Sequence, residues 1–202
     1  MDLFEAVETR RSVKKFDPDH RMDPAEEARL LTAAMCSPTA FNIQHWRFVV
    51  VRDPALRVLL REASWGQAQV TDCSLLVAVC GDIRAWVRDP ARYWRDAPAA
   101  VRDQVVPMIL NFYDGNEQLA RDEAQRSCGM AAQTLMLAAR AMGYDSCPMD
   151  GFDPNQVAEL LHLPDDHLIS MFVAIGKPVE EARPRSGQLD LDEVRIVDRF
   201  PA

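Results

Sequence analysis

Between Cys128 and Ala141 the only polar side chains are Gln133, Thr134 and Arg140, and apolar residues cover nearly the whole circumference of a helix. A helix apolar all round is either a core helix or a membrane span. The run falls well short of the ~20 residues that a bilayer requires, and Asp122, Glu123 and Arg126 flank it. It therefore reads as the buried central helix of a soluble domain. Gly129, Ala131, Ala132, Ala138 and Ala139 let another backbone come close, and Gly143 falls where a C-cap glycine ends a helix. Beyond it, Ser146 to Gly151 reads as a turn-rich segment outside any regular ladder.

The rest of the pattern is shorter-ranged. Leu3, Phe4 and Val7 predict a short amphipathic helix over residues 2–9. Asp23-Pro24, with Glu26 and Glu27 in the first turn, opens a second helix that continues to Met35 and stops at Ser37-Pro38. Trp46 to Val51 is a strand by composition. Pro54 to Ala63 reads as a surface helix, and Trp65 to Gln69 as its irregular exit. The run Ser74 to Cys80 is continuously apolar, as in a strand buried on both faces.

From Arg84 to Asp122 the pattern breaks up. Pro90, Pro98, Pro107 and a charge every few residues predict helices that are short or mobile, forming either a lid over a site or an ordinary peripheral pair. Asp153-Pro154 starts another helix, and Leu168 to Ile175 is a strand. The tail from Val179 is too polar to make its own core, so it hangs free or lies along another surface. Strands widely separated by helices give an α+β or α/β fold, and 202 residues suffice for one domain with a substantial core.

The net charge of -8 argues against a general binder of nucleic acid or anionic membrane. Five cysteines without CxxC spacing read as reduced, mostly buried thiols of a cytoplasmic protein, and four histidines form no metal-ligand motif. The N-terminus has no apolar h-region, so no secretory signal is expected.

One segment runs against the acidic balance: RRSVKKF, residues 10–16. In extended chain Arg10, Ser12 and Lys14 share a face, and two cations bracketing a hydroxyl suit a phosphate. A solvated basic turn is the plainer reading. Thr39, Asn42 and Gln44 sit in a polar loop just ahead of a strand. Their side chains can face a ligand or only satisfy their own turn.

Taken in order, RRSVKKF (10–16), SPTAFNIQHW (37–46), Gln69, the small-residue helix running into CPMDGF (147–152), IGKP (175–178) and Arg183/Arg185 resemble the FMN-dependent nitroreductase family over nearly the whole chain. The resemblance implies an α+β fold with a central, mostly antiparallel sheet flanked by helices, forming one domain over residues 1–202 with a lid at about 84–122. It also implies a homodimer with two FMN sites at the subunit interface and a C-terminal tail wrapping the partner. Arg10 and one or both of Arg183 and Arg185 would hold the FMN phosphate, with Arg11 and Ser12 beside them. Lys14 would lie at the N1 and C2 carbonyl edge of the ring, and Gln69 on its pyrimidine side. Pro148, Met149, Asp150 and Gly151 would cross one face, while Ser37, Pro38, Thr39, Asn42 and Gln44 would come from the other subunit.

On this resemblance NADH or NADPH is the donor, a nitroaromatic, quinone or similar small molecule is the acceptor, and the flavin carries the chemistry. Dehalogenation or reduction of a small metabolite, selected by Trp86, Tyr93, Trp94, Phe112 and Tyr113, is the alternative on the same fold. A non-catalytic nucleotide-binding dimer is the alternative from another class. His45 stands where many members have proline, so the loop around it is expected to take its own shape. No aspartate in RRSVKKF matches the flavin-cleaving branch. Cys147 is expected to be structural.

Overall fold

The computed structural model describes residues 1–200. Helix α1 (Leu3–Thr9) leads through an extended segment to α2 (Pro24–Met35), strand β1 (Trp46–Val51), α3 (Pro54–Ala63), the single turn α4 (Gln69–Asp72) and β2 (Leu75–Asp82). A helical excursion follows, α5 (Ala85–Arg88) and α6 (Ala99–Tyr113), before the long α7 (Glu117–Ala141). The chain closes with β3 (Asp145–Met149), α8 (Pro154–Leu160), β4 (His167–Gly176) and a short α9 (Leu191–Val194) in the tail.

The Asp-Pro pairs start helices for a local reason. Asp23, Asp53 and Asp153 each accept a hydrogen bond from the first-turn backbone, and the proline behind each occupies a position whose N–H would have no partner. Asp23 completes a capping box with Glu26. Gly143 takes φ +78 just past α7, and the Tyr144 N–H reaches back to the Ala139 carbonyl at 2.9 Å. That left-handed residue turns the chain directly into β3.

The four strands run in the order β1-β2-β4-β3, every pair antiparallel. All eight residues of β2 are buried, because helices cover both faces of the sheet. Leu76, Ala78 and Cys80 point toward α3, α4 and α8, packing with Leu60, Val70 and Val157. Leu75, Val77 and Val79 point toward α2 and α7, packing with Leu30, Leu135 and Ala139. A third cluster of Ile43, Trp86, Ile109, Tyr113 and Ala120 belongs to the excursion.

Two expectations need correction. The segment after α7 is not a turn: Asp145–Met149 is a strand, with Pro148 opposite Val173. β3 lies at the sheet edge, where a missing N–H leaves no ladder bond unmade. The excursion is also more regular than its prolines suggest, since α6 runs 15 residues through Pro107 and α7 begins at Glu117. Burial of Ile109 and Tyr113 outweighs the local penalty at Pro107. Trp86 and Tyr113 accordingly pack in the third cluster, at 8% and 1% exposure.

Candidate active site

RRSVKKF lies along the outer edge of β3. Ser12 bridges Ser146 in parallel, and the Val13 N–H donates to the Ser146 carbonyl at 3.0 Å. Val13 and Phe16 turn into the core, leaving Ser12 and Lys14 exposed on the opposite side. Ser12, Val13 and Lys14 follow the alternation of an extended segment, and it stops there, since Lys15 is exposed and Phe16 is buried.

Three arginines converge where α1 ends. Arg11 Nη1 donates to the carbonyls of Glu8 (2.7 Å) and Arg10 (2.9 Å). Arg185, arriving from the tail, donates through Nη2 to Val7 (3.2 Å) and Glu8 (3.5 Å). Arg10 Nη1 is buried and has no hydrogen-bond partner among the described residues. Desolvation, followed by the nearby positive charges of Arg185 and Arg11, lowers the Arg10 pKa. A buried donor surrounded by like charge is costly unless an anion completes it. Arg183 is exposed.

The neighbouring strand gathers the other half of this group. Cys147 is 3% exposed, and burial pushes its thiol pKa up against the opposing pull of Lys14, Gln69 and Arg10, which therefore share its surroundings. Gln69 is buried, with Nε2 at 3.1 Å from Gln67 Oε1 and 4.0 Å from Cys147 Sγ. Gln67 in turn donates to the Gly151 carbonyl at 2.8 Å. The ladder ends at Met149, so the backbone of Asp150 and Gly151 lies beyond it.

Trp65 and Gln67 carry no local mark of a site in the sequence beyond a tryptophan followed by glycine and two spaced glutamines, and this stretch reads there as the irregular exit of α3.

The second set of candidates lies elsewhere on the chain. Ser37 is fixed to α7, its hydroxyl donating to Thr134 Oγ1 at 2.7 Å. Pro38 is exposed. Thr39 Oγ1 accepts from the Gln44 N–H at 3.0 Å, and Gln44 Nε2 donates to the Asn42 carbonyl at 3.2 Å, so part of the amide capacity serves the loop itself. Asn42 Nδ2 donates to the Tyr93 carbonyl at 2.8 Å, and Trp94 Nε1 to the Phe41 carbonyl at 2.9 Å, tying the loop to the excursion. Phe41, Asn42 and Gln44 have φ of 52, 56 and 54, an uncommon run of left-handed residues without glycine.

Asn42 and Gln44 open onto a cleft of about 520 Å³ shared with Arg92 and Tyr93. Among the described residues no hydrogen bond joins this loop to the Arg10 group.

His45, next along, is fully buried. Its Nδ1 lies 3.0 Å from the Asp82 carbonyl, Nε2 has no partner among the described residues, and desolvation lowers its pKa.

An antiparallel sheet layered between helices, with a half-buried arginine whose Nη1 has no partner among the described residues beside one edge strand, defines an α+β protein. The chain belongs to the Nitroreductase family, which it matches over residues 7–177. It is 59% identical to Protein DrgA of Synechocystis sp. over 90% of this chain and 87% of that protein. It is 33% identical to an NADH dehydrogenase of Thermus thermophilus, over 96% and 95%. Among solved structures, a protein of Exiguobacterium sibiricum described as a nitroreductase in complex with FMN has a TM-score of 0.91 at 30% identity, over 98% of this chain and 97% of that one.

Proposed function

We propose that this chain is an FMN-dependent oxidoreductase that takes electrons from NADH or NADPH and passes them to a nitroaromatic, quinone or similar acceptor. The observation that carries the reading is the unpartnered, buried Nη1 of Arg10 between Arg11 and Arg185. An FMN phosphate supplies the missing acceptor and the missing negative charge together. Family membership, the FMN complex of the Exiguobacterium sibiricum relative and the NADH dehydrogenase relative support the same reading.

In this arrangement Arg10 and Arg185 grip the phosphate with the Ser12 hydroxyl beside them. Arg11 helps to fix the end of α1, and Arg183 stands at the margin. Lys14 places a fixed cation at the pyrimidine edge of the ring, where negative charge gathers on reduction. Gln69, held by Gln67, presents its amide to the same edge. Pro148, Met149, Asp150 and Gly151 form the floor under one ring face. FMN when bound supplies the chemistry, accepting a hydride from the nicotinamide and later releasing two electrons to the acceptor.

A second copy of the chain completes the site. Ser37, Pro38, Thr39, Asn42 and Gln44 then come from the partner, together with residues 84–122 acting as a lid. Leu3, Phe4 and Val7 on α1, and Leu191, Val197 and Phe200 in the tail, are 44–79% exposed on the single chain. Apolar groups so distributed mark surfaces to be covered. The outer edge of β1 has no neighbouring strand among the described residues and is a ready place for a partner's tail. Deleting the residues after Pro178 is expected to give monomers in sedimentation; dimers of normal stability would refute the wrapping tail.

The absorbance spectrum of the purified protein, before and after adding FMN, tests the cofactor. No flavin bound and none taken up leaves a nucleotide-binding module in place of an enzyme. With flavin bound, steady-state kinetics with NADH and a quinone are expected to give parallel double-reciprocal lines, because donor and acceptor take turns over one open face. Intersecting lines reject that alternation.

A further inference from the structure

We propose that Trp65 sorts acceptors at this site, its indole face receiving electron-poor planar rings such as quinones and nitroarenes. The inference rests on the FMN reading above and adds the residue that selects what the reduced cofactor meets.

Trp65 combines two features that are each unfavourable without a ligand. Its backbone is left-handed, φ 55, although the side chain is bulky, and Gly66 follows at φ 76. The residue is 73% exposed, whereas Trp46 and Trp86 are 5% and 8% exposed. Strain that served packing would bury the indole, and here it holds the indole out.

The turn that does this is well fastened. The Gly66 N–H donates to the Arg61 carbonyl at 2.9 Å, and Arg61 Nε donates to the Gly66 carbonyl at 3.1 Å. Gln67 is tied to Gly151 at 2.8 Å. The indole is laid against Gly151 itself: a Cβ built there would stand 3.1 Å from indole Cζ3 and 3.6 Å from Cε3. Trp65 therefore adjoins the floor segment Pro148 to Gly151 while most of the residue stays exposed.

An indole is electron-rich and prefers an offset stack with an electron-poor ring. A residue so placed discriminates among acceptors by ring character, and a non-aromatic acceptor gains nothing from it.

The test uses the FMN-loaded enzyme with Trp65→Leu and Trp65→Phe, both at an exposed position. Flavin content by absorbance and dimer state by sedimentation are measured first. At saturating NADH, Trp65→Leu is expected to raise KM for benzoquinone and for a nitroarene by roughly three- to tenfold, with KM for ferricyanide unchanged and Trp65→Phe close to wild type. Equal changes for ferricyanide and the aromatic acceptors, or no change for any, overturn the proposal. So does loss of flavin or of the dimer in Trp65→Leu, which would make the residue a support of the cofactor or of the interface. Wild-type protein that takes up no FMN refutes the underlying function, and this inference with it, and is distinguished by the spectrum alone.

Discussion

Arg10→Ala is expected to weaken FMN binding by roughly 10- to 100-fold, because a charge-assisted contact to phosphate is worth about 1.5–3 kcal/mol. Fluorescence titration of flavin-free protein measures the change directly, and an unaltered Kd removes Arg10 from the site. The structure adds a sign that separates binding from folding. Arg10 stands against Arg185 and Arg11, so removing it relieves repulsion in the flavin-free chain. The melting temperature without FMN is therefore expected to hold or rise, while the stabilisation gained on adding FMN shrinks. A structural arginine would lower both. Arg10→Lys should recover only part of the affinity, since an ammonium cannot offer two donors to one phosphate in the fixed fork of a guanidinium.

Asp82→Asn is expected to destabilise the fold by about 2–3 kcal/mol and to lower the melting temperature by roughly 5–10 °C. The Asp82 carboxylate is 1% exposed and sits at the end of β2. It accepts from Arg47 Nη2 at 2.9 Å, from Arg88 at 2.8 and 3.1 Å and from the Arg84 N–H at 3.0 Å, with His167 Nε2 at 3.8 Å. The figure is set below the usual cost of breaking a buried pair because the Arg47 and Arg88 side chains are 35% and 46% exposed and can rehydrate. Arg47 also donates to the Gln44 carbonyl at 3.1 Å, and Arg88 lies on α5. The loop at 37–44 and the start of the excursion thus share one buried anchor. A melting temperature equal to wild type would show that this anchor is not needed.

The extended basic segment beside β3 was legible in the chain because its signals are local. The alternation of Arg10, Ser12 and Lys14 against Val13 is a property of neighbouring residues in extended backbone. His45 shows the limit of such reasoning. The sequence marked it as a departure from a family pattern, and the structure gives its place: buried, bonded to the Asp82 carbonyl and next to a loop of left-handed residues. Nothing within a few positions of His45 reveals that Asp82 is its neighbour. Trp65 is another such case, because its indole lies against Gly151, 86 positions away in the sequence.

By itself the sequence determined the Asp-Pro helix starts, the doubly buried strand β2, the glycine turn after α7 and the extended basic segment. Each depends on backbone preference and side-chain periodicity over a few residues, and such preferences act before the chain is compact. The tertiary structure decided what meets what. Pro148 lies in a strand because β3 is an edge, Pro107 lies in a helix because Ile109 and Tyr113 of the same helix are buried, and Arg185 reaches the end of α1, where it meets the carbonyl of Val7 across a sequence separation of 178. Those outcomes follow from burial and charge summed over distant segments, which no local window contains.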